Sequence, residues 1–409
     1  MTIGWTDEFD PFQDERAKAN GNSHDPEPLP NVWDAVDTLD EFIPPREWLL
    51  GNIFCKGFTS SLVGAGAAGK TAVRLVQALA VATGQRLTEE HVHKRAKVLF
   101  LCFEDGEPEL KRRIKAALLY HKVTAAARGW LFCTAITGRK LFTATNRGAP
   151  YPTALFDWLV TMIRDHGFEL VILDPFIKIH ATEENDNSAI EQVCAALSHL
   201  GVEMNIAIDL PHHVRKGPAE PGDADIGRGA SAAKDAGRLG YTLTPMSPKM
   251  AEACGVKEKA LRRSLIRMDS AKVNIAPPTV ETIWFRLVGV PLGNRTDAYP
   301  NGDNVHTVER WHAPDAHISV ELANRIIDAI DKGTAEGRRY SDAPASTDRA
   351  AWRIVQEFCP TFTDTQCRKL VADWIAHGAL RSDDYHDPKA RRTTKGLFAG
   401  TRPGSSLDS

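Results

Sequence analysis

Phe58-Thr-Ser-Ser-Leu-Val-Gly64-Ala-Gly-Ala-Ala-Gly69-Lys70-Thr71-Ala72-Val-Arg-Leu-Val-Gln-Ala-Leu-Ala-Val-Ala82 reads in three parts: an apolar strand, a glycine-rich turn and a helix. The middle part satisfies GxxxxGK[ST]. A strand at Phe58 to Val63 and a helix at Ala72 to Ala82 are the flanks that such a loop requires. Glycines let backbone N–H groups close around phosphate oxygens, and the helix N-terminus adds positive potential. Gly64, Ala65, Gly66, Ala67, Ala68, Gly69, Lys70, Thr71 and Ala72 are therefore the candidate cradle for ATP. Lys70 would reach the outer phosphates and Thr71 would ligate Mg2+.

Further along the chain, Leu170-Val-Ile-Leu-Asp174 is an apolar strand ending in a carboxylate. Asp174 is the second candidate magnesium residue, beside Thr71. Between the two lies Lys97-Val-Leu-Phe-Leu-Cys-Phe103, which ends in Glu104-Asp105. A carboxylate there either orients and deprotonates an attacking water or caps the next helix, and the residues alone do not choose. Short apolar runs continue to alternate with amphipathic stretches, as in ELKRRIKAALLYHKV, AIEQVCAALSHLG and NIAIDLPHH. That alternation predicts an α/β fold with a parallel sheet covered by helices on both faces.

The 409 residues carry 50 Lys+Arg against 53 Asp+Glu and are 43% hydrophobic, which excludes a disordered acidic chain and a histone-like polycation. Any nucleic-acid site must be a local patch. The 7 cysteines include no CxxC pair and no zinc spacing, as expected in a reducing cytoplasm. No signal pattern and no membrane-spanning run is read. The expected organisation is an acidic, loosely ordered arm over 1–44, an ATPase core over 45–292, a linker with one helix over 293–345, and two helices with a basic hairpin over 346–409. Helix, helix, hairpin is a winged-helix-like order.

Taken in order, PPREWLL, GAGAAGKT, FLCFEDG, LVILDPF with ENDN, PHHVRKG, GRGASAAKDAGR and SAKVN resemble the RecA-like hexameric ATPases, and among them the plasmid replicative helicases of the RepA type. The resemblance covers roughly residues 43–290 and implies several roles. Glu104, ending the second strand, is the catalytic base. His213 senses the γ-phosphate. Arg228 in GRGAS enters the neighbouring subunit's site, where a guanidinium stabilises charge on the transferring phosphoryl group. Lys272 in SAKVN also reaches across the interface. DnaB-type relatives carry an arginine two positions later, where this chain has Asn274, and that puts more of the trans role on Arg228. The implied assembly is a homo-oligomer, a hexamer with shared sites.

The glycine- and proline-rich loop after His213 would face the pore of such a ring. Arg215 and Lys216 there are candidate contacts to single-stranded DNA. Its acids cancel those two bases, so charge alone does not single out DNA. The run Lys257 to Arg267 reads as a strand with a solvated basic face. The terminal hairpin, with Lys389, Arg391 and Arg392, is a second candidate DNA contact, although a partner-protein contact would look the same in the sequence. The expected function is an ATP-driven DNA helicase or translocase of a plasmid, phage or mobile element, working with other replication proteins. The alternative is a RecA-like accessory ATPase that assembles on DNA or a protein partner without unwinding.

Overall fold

The computed structural model describes residues 32–144, 149–182, 186–213, 237–276, 282–312, 320–343, 348–360, 362 and 364–402. Its centre is a strand buried on both faces, β1 (Thr59–Gly64), which ends in the glycine-rich turn. The other strands of the same sheet are β2 (Val98–Cys102), β3 (Leu131–Ala135), β4 (Leu170–Asp174), β5 (Ala207–His213), β6 (Leu239–Pro245), β7 (Leu265–Val273), β8 (Ile283–Pro291) and β9 (Asn304–Trp311). Their spatial order is β9-β8-β7-β6-β1-β5-β4-β2-β3. From β6 to β3 the neighbours are parallel. From β6 to β9 they are antiparallel.

Side-chain alternation along β2 shows why both faces are covered. Val98, Phe100 and Cys102 enter one core with helix α1 (Lys70–Thr83), whereas Leu99, Leu101 and Phe103 enter the other with helix α3 (Ala154–His166). Ile172 and Val171 on β4 divide in the same way. Helix α1 is buried along most of its length and ends at Gly84, whose φ of +73° lets its N–H return to Ala80 O at 2.9 Å. Helix α2 (Glu107–Tyr120) follows β2, and helix α4 (Asn187–Glu203) precedes β5.

The described residues cluster into two units: Met1–Pro245 with Leu265–Trp311, and Met246–Ser264 with His312–Ser409. The second holds helices α5 (Val320–Lys332), α6 (Ala351–Phe358) and α7 (Asp364–Ala376) and the hairpin β10 (Leu380–Asp387) and β11 (Arg392–Ala399). Ile326, Ile330, Val355, Leu380 and Leu397 form its core.

Two stretches differ from their sequence reading. Asn304–Trp311, inside the span read as a linker, is an edge strand of the large sheet. It follows the polar turn GNRTDAYPNGDN, and only the adjacent Thr307 and Val308 of the strand are buried, so no alternation marks it in the sequence. Lys257 to Arg267 is not one strand, because Lys259–Ser264 is a short helix and β7 begins only at Leu265. Among the described residues no helix is long and apolar enough to cross a membrane.

Candidate nucleotide site

The turn between β1 and α1 has the backbone that phosphate binding needs. Gly69 stands at φ +92° and Ala67 at φ +59°, both in the left-handed region that turns N–H groups inward. Gly64 is required for another reason: a Cβ there would lie 2.7 Å from Leu243 O on the adjacent β6. The strand order then collects the chemistry. β5 lies next to β1, β4 next to β5 and β2 next to β4, so His213, Asp174 and Glu104 all leave the same edge as the turn.

Lys70 is 4% exposed and donates to Gly64 O and Ala65 O, each at 2.8 Å. Its Nζ also lies 3.1 Å from His213 Nδ1. An ammonium is only a donor, so Nδ1 accepts and the ring proton sits on Nε2, which faces Glu104 Oε2 at 3.5 Å. His213 thus links the phosphate lysine to the candidate base. Burial pushes Lys70 down to about 8, against the pull of Asp174 and Glu104. Burial and the Lys70 charge also lower His213, which keeps it neutral.

Thr71 Oγ1 donates to Asp174 Oδ2 at 2.6 Å. Burial pushes Asp174 up to about 6, while the Thr71 hydrogen bond and the Lys70 charge oppose it. A hydroxyl and a buried carboxylate held together beside the turn are the oxygen donors that magnesium takes. The turn, Lys70, Thr71 and Asp174 therefore fit a nucleoside triphosphate with its magnesium. That ion, when bound, neutralises charge on the phosphates. Lys70 would orient the outer phosphate oxygens, and Glu104 would take a proton from the attacking water.

Below the turn lies a network that the sequence reading did not single out. Arg74 and Asp209 are both fully buried, with Nε and Nη2 of the guanidinium 2.7 and 2.8 Å from the two carboxylate oxygens. Ser60 Oγ donates to Asp209 at 2.6 Å, and Gln77 accepts from Arg74 at 2.7 Å. The one signal was an Asp interrupting the apolar run NIAIDLP. His212, beside His213, packs its ring 5.6 Å from Phe176, and burial pushes it down to about 4.

The remaining expected residues are not gathered here. Lys272 sits on β7 opposite Gly240 of β6. Lys389, Arg391 and Arg392 lie in the other unit at the hairpin turn, where Lys389 pairs with Glu336 at 3.2 Å. Arg215, Lys216 and Arg228 fall outside the described residues, as does most of the N-terminal arm.

Residues 23–219 match the family model described as the AAA domain. A solved KaiC-like protein from the hyperthermophilic archaeon Pyrococcus horikoshii is similar at 13% identity with a TM-score of 0.38, over 63% of this chain and 91% of that one. The domain match, the phosphate turn and the strand order support a P-loop ATPase of the RecA type.

Proposed function

We propose that this ATPase is a ring-forming DNA helicase or translocase of a plasmid, phage or mobile element, with single-stranded DNA in its pore. The observation that carries the reading is His213. It touches Lys70 on one side and Glu104 on the other, and in sequence it directly precedes the stretch that carries Arg215 and Lys216. A strand held by those two residues would pull on the residue connecting the phosphates to the base. Arg228 and Lys272 act across a subunit interface, so each site is complete only in the oligomer. The C-terminal unit, read as winged-helix-like, offers Arg391 and Arg392 as further DNA contacts.

The test is ATPase rate against protein concentration, with and without single-stranded DNA, while mass photometry follows assembly. Turnover that rises with ring formation and again with DNA, followed by unwinding of a forked duplex, is the expected result. Turnover indifferent to DNA favours the accessory switch. Arg228→Ala should retain ATP binding and lose turnover, and mixing it with Glu104→Gln subunits should restore part of the activity. Normal hydrolysis by Arg228→Ala removes its trans role.

A further inference from the structure

A cleft of about 350 Å³ opens on the side of Glu104, lined by Phe103, Glu104, Thr137, Gly138, Arg139, Lys140 and Lys178. Its three cations come from two separate segments. Arg139 and Lys140 follow β3, and Lys178 ends the short turn Phe176–Lys178 after Asp174. Many cations elsewhere in this unit have an acidic partner: Lys56 with Glu169, Arg113 with Asp105, Arg286 with Glu309. Arg139, Lys140 and Lys178 have none among the described residues, and Glu104 is the only carboxylate on the wall. Like charges gathered without counter-ions repel one another, and an anionic ligand relieves that repulsion.

We propose that this cleft seats backbone phosphates of a single nucleic-acid strand, and that a seated strand acts on hydrolysis through Glu104. The inference rests on the single-strand reading above and adds a contact outside the loop after His213. The size suits about one nucleotide, since ligand clefts start at roughly 300 Å³. The one aromatic on the wall, Phe103, is 4% exposed and offers no face for a base to stack on, so recognition is by charge and indifferent to sequence. Gly138 stands at φ +73° with open space where a Cβ would be, which leaves the backbone of this turn open to close approach.

The cleft is electrostatically joined to the site, because the charge of Lys178 reaches His213. Phosphates pairing with these cations would seat the strand beside Glu104, the residue that would take the proton from the attacking water. Strand binding would then raise turnover without touching the nucleotide.

The test compares the full-length protein with its Arg139→Gln/Lys140→Gln/Lys178→Gln variant. Fluorescence anisotropy on labelled oligo-dT is read over a range of salt, with dTMP as a competitor. All three side chains are exposed, and circular dichroism checks the fold. The expected result is a loss of about tenfold or more in affinity, with a salt slope smaller by about 2 for three lost contacts. Arg139→Lys/Lys178→Arg should bind as the parent does, and DNA stimulation of the ATPase should fall only in the Gln variant. Equal binding by parent and Gln variant overturns the inference and leaves the single-strand reading standing. Displacement by dTMP at the same nucleotide concentration assigns the cleft to free nucleotides and overturns the strand. No binding by the parent removes both.

Discussion

Thr71 holds Asp174 through a 2.6 Å hydrogen bond across 103 residues of sequence, joining the start of α1 to the end of β4. The carboxylate is there at a cost. Raised by burial from 3.8 to about 6, it stabilises the fold only while protonated, and that stability is lost as pH rises through about 6. The difference corresponds to about 3 kcal/mol at most. Asp174→Asn keeps an acceptor for Thr71 and removes the charge. In chelator at about pH 8 its thermal midpoint should exceed the parent's by several degrees, and the gap should close towards about pH 4. Magnesium-dependent turnover should fall by about 100-fold or more. Equal midpoints at both pH values would contradict the burial argument.

Lys70 uses all three of its donors, on Gly64 O, Ala65 O and His213 Nδ1, and phosphate oxygens must compete for them. Lys70→Ala should lower turnover by about 100- to 1000-fold, as loss of a positioned charge at a phosphoryl group does. Because burial depresses Lys70 to about 8, its ammonium is lost above that pH. kcat/KM should therefore decline above about 8, while kcat, measured with phosphates beside the lysine, holds to higher pH. A flat kcat/KM through that range would separate Lys70 from the titrating group.

Glu104 is half exposed, and its nearest partner in the site is His213. Glu104→Gln keeps the shape and removes the base, so a fluorescent ATP analogue should bind within a few-fold of the parent while hydrolysis drops by about 100- to 10,000-fold. His213→Ala should weaken the response to DNA more than basal turnover. Undiminished hydrolysis by Glu104→Gln would remove Glu104 as the base, and α2, whose N-cap is Gly106 with no side-chain cap, gives it no capping role instead.

Gly64 to Thr71, with its strand and helix, was legible because the whole signal is local: one turn geometry and two flanking periodicities. Asp174 and Glu104 were legible as strand ends, although only the order β1-β5-β4-β2 shows that they share an edge with the turn. What stayed hidden was set by tertiary pairing. β9 lies in a polar stretch where only the adjacent Thr307 and Val308 are buried, and the helix at Lys259–Ser264 is too short for its periodicity to register. Arg139, Lys140 and Lys178 carry no local signal in the sequence, and only β3 and the turn after β4 bring them to one cleft.

Arg74 and Asp209 were the least legible of all, since 135 residues separate them and neither side chain reaches solvent. Removing one partner strands a buried charge, so Arg74→Met should cost about 3–5 kcal/mol in urea unfolding. Replacing both, as Arg74→Met/Asp209→Leu, removes both desolvation penalties and leaves Ser60 and Gln77 without their partners. The double variant should lose less than the sum of the single losses, with an interaction energy of about 1–3 kcal/mol. Arg74 stands on α1 four residues after Lys70, so the pair also fixes the helix that aims the phosphate lysine. If it does so, ATP affinity should weaken in the Arg74→Met single variant and recover in the double. Affinity that follows neither change would confine the pair to holding the fold.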